Sequence, residues 1–132
     1  MSSGTVRRRT NGATQAGNKV GAQCYLETAS VGDTAHLTLI GELDLSCAER
    51  FKASLKESLA ESPHDVVIDL RSVTFIDSTG LALLLKADML AREEGFHLHV
   101  VKSRVEIVQA VFEASGVHKI LPLGDEPPDH AG

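Results

Sequence analysis

Ser78 is the residue whose type and placement could do chemistry. It stands in Phe75-Ile76-Asp77-Ser78-Thr79-Gly80-Leu81, where an apolar, β-branched segment gives way to helix formers with no internal Gly or Pro. A hydroxyl at a strand-to-helix junction has three uses. It can cap, since Asp, Ser and Thr are all preferred N-caps, although Leu81 or Ala82 stands where a capping box needs Glu or Gln. It can attack as the nucleophile of a G-x-S-x-G elbow, but Ile76 holds the place of the first glycine and only Gly80 supplies the second. Or it can accept a phosphoryl group, which adds about −1.5 to −2 charges beside Asp77 at a helix end whose dipole favours anions.

The elements that must position Ser78 follow from periodicity. Short strands are expected at residues 24–28 and 35–40 around a Gly32-Asp33 turn. Cys47, Ala48, Phe51, Leu55 and Leu59 recur at three- and four-residue intervals, which predicts an amphipathic helix capped by Asp44 or Ser46 and ended by Pro63. Residues 65–70 read as a strand apolar enough to be covered on both faces. A second helix begins at Ser78 or Thr79 and stops at Gly95. Residues 96–101 form a strand, Ser103 caps a third helix that Gly116 ends, and a short strand follows at 119–123. This order predicts an α/β fold with a mixed sheet of about five strands and about three to four helices packed mainly on one face, with right-handed crossovers between parallel strands.

Five consecutive apolar residues, 81–85, sweep a full turn of the second helix and cannot all face one core. The helical wheel puts Leu83, Leu84, Ala87, Leu90 and Ala91 on the core stripe. Leu81, Leu85 and Met89 fall on the other side among charged residues, a candidate partner surface one turn after Ser78.

Size and charge bound the function. The 132 residues suit one domain able to bury a core without disulfide or metal. Hydrophobic content of 42% and charged content of 23% are ordinary for a globular chain, and no run approaches the roughly 20 apolar residues of a membrane span. The net charge of −5 is uneven: Arg7, Arg8, Arg9 and Lys19 lie in the first 20 residues with no acid, leaving 9 of the 13 basic residues against 18 acidic ones. The remainder therefore repels phosphate backbones and is not expected to bind nucleic acid. The polar residues after Arg9 are unlike an export signal, which points to the cytoplasm. Cys24 and Cys47 lack C-x-x-C spacing and are expected as reduced, buried thiols. His36, His64, His97, His99, His118 and His130 are scattered without metal-ligand spacing, so no metal and no cofactor are expected. Residues 1–20 read as a disordered basic arm, 21–123 as the domain and 124–132 as a flexible tail.

The segments Gly41-Glu42-Leu43-Asp44, Asp65-Val66-Val67-Ile68-Asp69-Leu70, Asp77-Ser78-Thr79-Gly80-Leu81 and Val111-Phe112-Glu113-Ala114-Ser115-Gly116-Val117 resemble, in order and spacing, the STAS domain family, and within it the bacterial anti-sigma factor antagonists. The resemblance implies a STAS fold and a partner-switching regulator with no catalysis of its own. In that family the unphosphorylated antagonist binds an anti-sigma factor serine/threonine kinase, which frees the sigma factor for transcription, in stress responses among others. The kinase phosphorylates the serine matching Ser78, and a phosphatase acting on phospho-Ser78 restores it. By the same correspondence Asp44 and Asp77 line the phosphoacceptor, while Thr79, Gly80 and Leu81 lie at the partner-facing helix start, where Gly80 without a Cβ lets a partner approach. The third helix, Val105-Glu106-Ile107-Val108-Gln109-Ala110-Val111-Phe112, departs from the basic residue and leucines frequent in the family. Rival assignments are a STAS subunit of a lipid-transport or stress-sensing complex, and a small serine hydrolase.

Overall fold

The computed structural model describes residues 7–11 and 24–128. Its spine is a hairpin of β2 (Cys24–Val31) and β3 (Thr34–Leu43), paired antiparallel. The two-residue turn places Gly32 at φ 60°, a left-handed conformation that costs glycine nothing. A parallel partner needs a crossover, and α1 (Ala48–Leu59) carries the chain back so that β4 (Asp65–Ile76) lies parallel to β3. The crossover repeats through α2 (Ser78–Glu94) to β5 (His97–Val101) and through α3 (Glu106–Ser115) to the two-residue β6 (Leu123–Gly124). With β1 (Arg7–Asn11) antiparallel to β2, the six strands lie side by side in chain order.

One hydrophobic core takes in all three helices: Phe51 and Leu55 of α1, Leu83 and Leu84 of α2, and Val108 and Phe112 of α3. They meet Leu26, Leu37, Leu39, Val66, Ile68 and Leu70 of the sheet. In β4 these core residues alternate with Asp65, Val67 and Asp69, of which only Val67 is fully buried. Asp65 Oδ1 lies 3.0 Å from His99 Nε2, a hydrogen bond between neighbouring strands.

Several expectations are corrected. Residues 7–11 of the expected disordered arm form a strand, because the hairpin leaves an edge whose backbone groups can still pair; residues 1–6 and 12–20 lie outside the described residues. The start of the expected tail is tied down, Asp125 to Lys102 at 3.0 Å and Glu126 to Arg104 at 3.2 Å and Arg71 at 3.5 Å. The strand expected at 119–123 is instead a 3₁₀ turn, Val117–Lys119, followed by β6. Ser103 does not cap α3, whose N-cap is Val105; its hydroxyl accepts from Val105 N at 3.0 Å and donates to Val73 O at 2.7 Å, joining the loop to β4. Cys24 and Cys47 are buried as expected but bonded to each other, with Cα atoms 5.8 Å apart. The crossover into α1 returns Cys47 beside the start of β2, which no sequence spacing discloses.

Candidate functional site

The junction before α2 is shaped by two irregularities in β4. Against β3, its register slips between Thr38 and Ile40 and again between Gly41 and Glu42, each time placing one extra residue in β4. A one-residue slip exchanges the faces of every following side chain. Leu70 points into the core; the first slip returns Val73 there rather than Ser72, and the second returns Ile76 rather than Phe75. Phe75 is thereby left 45% exposed, three residues ahead of Ser78.

Asp77, not Ser78, is the N-cap. Its backbone is extended (φ −120°, ψ −171°) and its carboxylate accepts from Gly80 N at 3.0 Å, satisfying one of the amides a helix start leaves open. Ser78 is the first residue of the helix and exposed. Its side chain is therefore released from the capping task at the positive end of the helix dipole.

The same turn is braced from β3. Asp77 N donates to Leu43 O at 3.4 Å, which sets Asp44 and Leu45 beside the start of α2. Asp44 caps a 3₁₀ turn, Leu45–Cys47, by accepting from Ser46 N at 3.0 Å and Ser46 Oγ at 2.6 Å. Neither expected cap serves α1 itself, whose N-cap is Cys47 with no side-chain hydrogen bond; Asp44 caps the 3₁₀ turn that leads into it. The turn pushes Leu45 out to 73% exposure.

Gly80 has a different reason from the one expected. It is buried, and a Cβ there would run into Leu43 O and come within 2.7 Å of Ile76 Cγ1. The glycine admits β3 and β4 to the helix. Thr79 is half-buried.

Along α2 the core stripe holds: Leu83, Leu84, Ala87 and Ala91 are buried and Leu90 packs against them. On the other side only Met89, at 58%, stands clear. Leu81 and Leu85 are half-buried against the core. Asp88, placed outward by the wheel, is buried and pairs with Arg92 at 3.0 Å.

Leu45 and Phe75 were not legible as surface residues. Leu45 offers the weak signal of an apolar side chain inside a capping turn; Phe75 offers none, since its outward turn depends on the second slip, without which Phe75 and not Ile76 would face the core. Among the described residues, no group of three His, Cys, Asp or Glu side chains is placed to hold a metal ion, and no helix is long and apolar enough to cross a membrane.

A family model described as "Mlab, STAS domain" matches residues 26–122. This chain belongs to the STAS domain family. Among proteins similar to it is an anti-sigma-B factor antagonist of Staphylococcus epidermidis, 24% identical over 100 residues, spanning 76% of this chain and 92% of that one. An anti-sigma factor antagonist from Mycobacterium paratuberculosis superposes with a TM-score of 0.72 at 23% identity, over 82% of this chain and 91% of that one. The anti-sigma factor antagonist SpoIIAA in its unphosphorylated form gives a TM-score of 0.67 at 20% identity, over 80% and 91% of the two chains. The sheet and three helices described above are thus a STAS fold, matching the expected class, with β1 and the short β6 at its edges.

Proposed function

We propose that this STAS domain is a cytoplasmic anti-sigma factor antagonist controlled by phosphorylation of Ser78. Unphosphorylated, it binds an anti-sigma factor serine kinase and releases the sigma factor; phosphorylated, it lets go, and a phosphatase resets it. It performs no catalysis, and ATP belongs to the kinase. The observation that carries this reading is the division of labour at the start of α2: Asp77 does the capping, so the exposed Ser78 hydroxyl can be modified without undoing the helix.

The surroundings fit a partner that senses charge. Leu45, Phe75 and Met89 are exposed apolar side chains and supply contact area near the hydroxyl or further along the same helix. Half-buried Leu81 and Leu85 contribute their outer edges, and Thr79 the first turn. A phosphoryl group added among Asp44 and Asp77 becomes an unpaired, desolvated charge once a partner covers it. A penalty of about 3 kcal/mol, roughly a hundredfold in affinity, is enough to exchange partners.

The test is intact mass after incubation with the kinase and ATP. One phosphoryl group is expected on the wild type and none on Ser78→Ala, which stays bound; retention of the added mass in Ser78→Ala sinks the assignment. Ser78→Asp is expected to bind the kinase about a hundredfold more weakly, and wild-type affinity in that variant would contradict the switch.

A further inference from the structure

The disulfide lies where the switch is built. Cys47 is the last residue of the 3₁₀ turn that Asp44 caps, and its amide donates to Asp44 O at 3.0 Å. Two residues before it is exposed Leu45; three before it is Asp44, which follows the Leu43 carbonyl that receives Asp77 N. Through its bond to Cys24, the first residue of β2, this turn is fastened covalently to the sheet.

Two observations make the bond adjustable. A STAS core drawn from three helices and the sheet is large enough to fold without a cross-link, so the bond is free to open without unfolding the chain. Cys24 also sits at a strand end and pairs with Gly41, one residue from the second register slip. Strand ends and slipped ladders open locally at low cost, which gives reagents access to two cysteines that are 4% and 0% exposed at rest.

A third observation concerns reactivity. Arg50, one helical turn after Cys47, donates from Nη2 to Cys24 O at 3.3 Å, and its buried Nε has no hydrogen-bond partner among the described residues. A guanidinium is therefore held at the Cys24 backbone, and a cation close to a cysteine favours the thiolate, the species that attacks a disulfide.

We infer that Cys24 and Cys47 form a thiol–disulfide regulatory site that sets the rigidity of the 44–47 turn beside Ser78. The oxidant is a low-molecular-weight disulfide. One cysteine thiolate attacks it, forming a mixed disulfide and expelling one small thiol. The other cysteine then attacks the protein sulfur of that mixed disulfide, closing Cys24–Cys47 and expelling the second small thiol. The two protons lost by the cysteines end on the two small thiols, and reduction runs the steps backwards. In the closed form the turn is held ready for a partner; in the open form it loosens and the partner pays to order it.

The test equilibrates the full chain in glutathione buffers spanning reduced to oxidised, then quenches, unfolds, alkylates with iodoacetamide and weighs it. Adducts are expected to fall from two to none across the series, and in the folded, unalkylated chain amides of residues 44–48 are expected to exchange about tenfold faster at the ratios that give two adducts than at those that give none. Two adducts at every ratio, none at every ratio, or exchange at 44–48 indifferent to the cysteines overturns the inference. Cys24→Ser is expected to reproduce the exchange of the reduced wild type at every ratio; where that variant does not fold, the wild-type series decides alone.

The link to partner binding rests on the antagonist role proposed above. Kinase affinity is expected to be about tenfold lower for the reduced form, and equal affinity in the two forms overturns that link. The adduct and exchange readouts need no partner, so they can fail while the antagonist role stands. Absence of kinase binding in both forms strikes the antagonist role instead.

Discussion

At the scale of single residues, Asp77 and Gly80 carry the junction, and each makes a separable prediction. Asp77→Ala removes an N-cap and is expected to cost about 1 kcal/mol in urea unfolding; an unchanged midpoint would mean that Ser78 takes over the cap. Gly80→Ala raises helix propensity, yet the new methyl meets Leu43 O and Ile76, so a net loss of about 1 to 3 kcal/mol is expected. A stabilised variant would show that the helix can shift to make room. Asp69 gives the pH dependence. Burial pushes its carboxyl up, but the hydrogen bonds and charge of Arg71 outweigh this, with Arg104 adding to them, and hold it below the usual carboxylate range. A depressed carboxyl contributes stability that is present above its unfolded pKa of about 3.9 and is lost as pH falls through the lower folded value. Urea midpoints compared at pH 5 and pH 3 should therefore fall less for Arg71→Gln than for the wild type. The helix start at Ser78 was legible because Asp, Ser and Thr before a helix are local signals. The reason for Gly80 was not, because it depends on the carbonyl of Leu43, 37 positions earlier in the chain.

At the scale of elements, α2 is the informative one. Its apolar run announced that more than one face would be covered, and the core stripe follows the 3.6-residue period. What the wheel could not supply is how far the core reaches around α2, which turns Leu81 and Leu85 from outward residues into half-buried ones. Leu85→Ser is accordingly expected to cost about 1 to 3 kcal/mol, whereas Met89→Ser stays within about 0.5 kcal/mol and instead weakens kinase binding. Equal losses of stability in the two variants would refute this division of the helix. In β4 the strand itself was readable from its β-branched residues, but its length was not: the two register slips carry it on to Ile76. The helix after Ser103 was readable too, yet the serine spends its hydroxyl on the loop and on Val73. Such exchanges of partner depend on what lies across the fold.

At the scale of the whole molecule, the acidic domain and basic N-terminal segment meet in β1, which five residues and the pairing with β2 define. Loop closure over the 23-residue separation of the cysteines should make the oxidised chain about 3 kcal/mol more stable than the reduced one in the chain-entropy account; coincident urea transitions would contradict that. The fold class was legible because alternating strands and helices admit few architectures. The edge strands were not, since β1 is built from Arg-Arg-Arg-Thr-Asn and β6 from two residues. Finally, the strands lie in the sheet in the order in which they occur in the chain. Each strand leaving the ribosome consequently finds its neighbour already made, and the sheet can be laid down one edge at a time during synthesis. Nascent chains in which residue 95 has cleared the ribosome should already protect the β2–β3–β4 backbone from proteolysis. If protection appears only once β5 and β6 have emerged, assembly waits for the finished polypeptide.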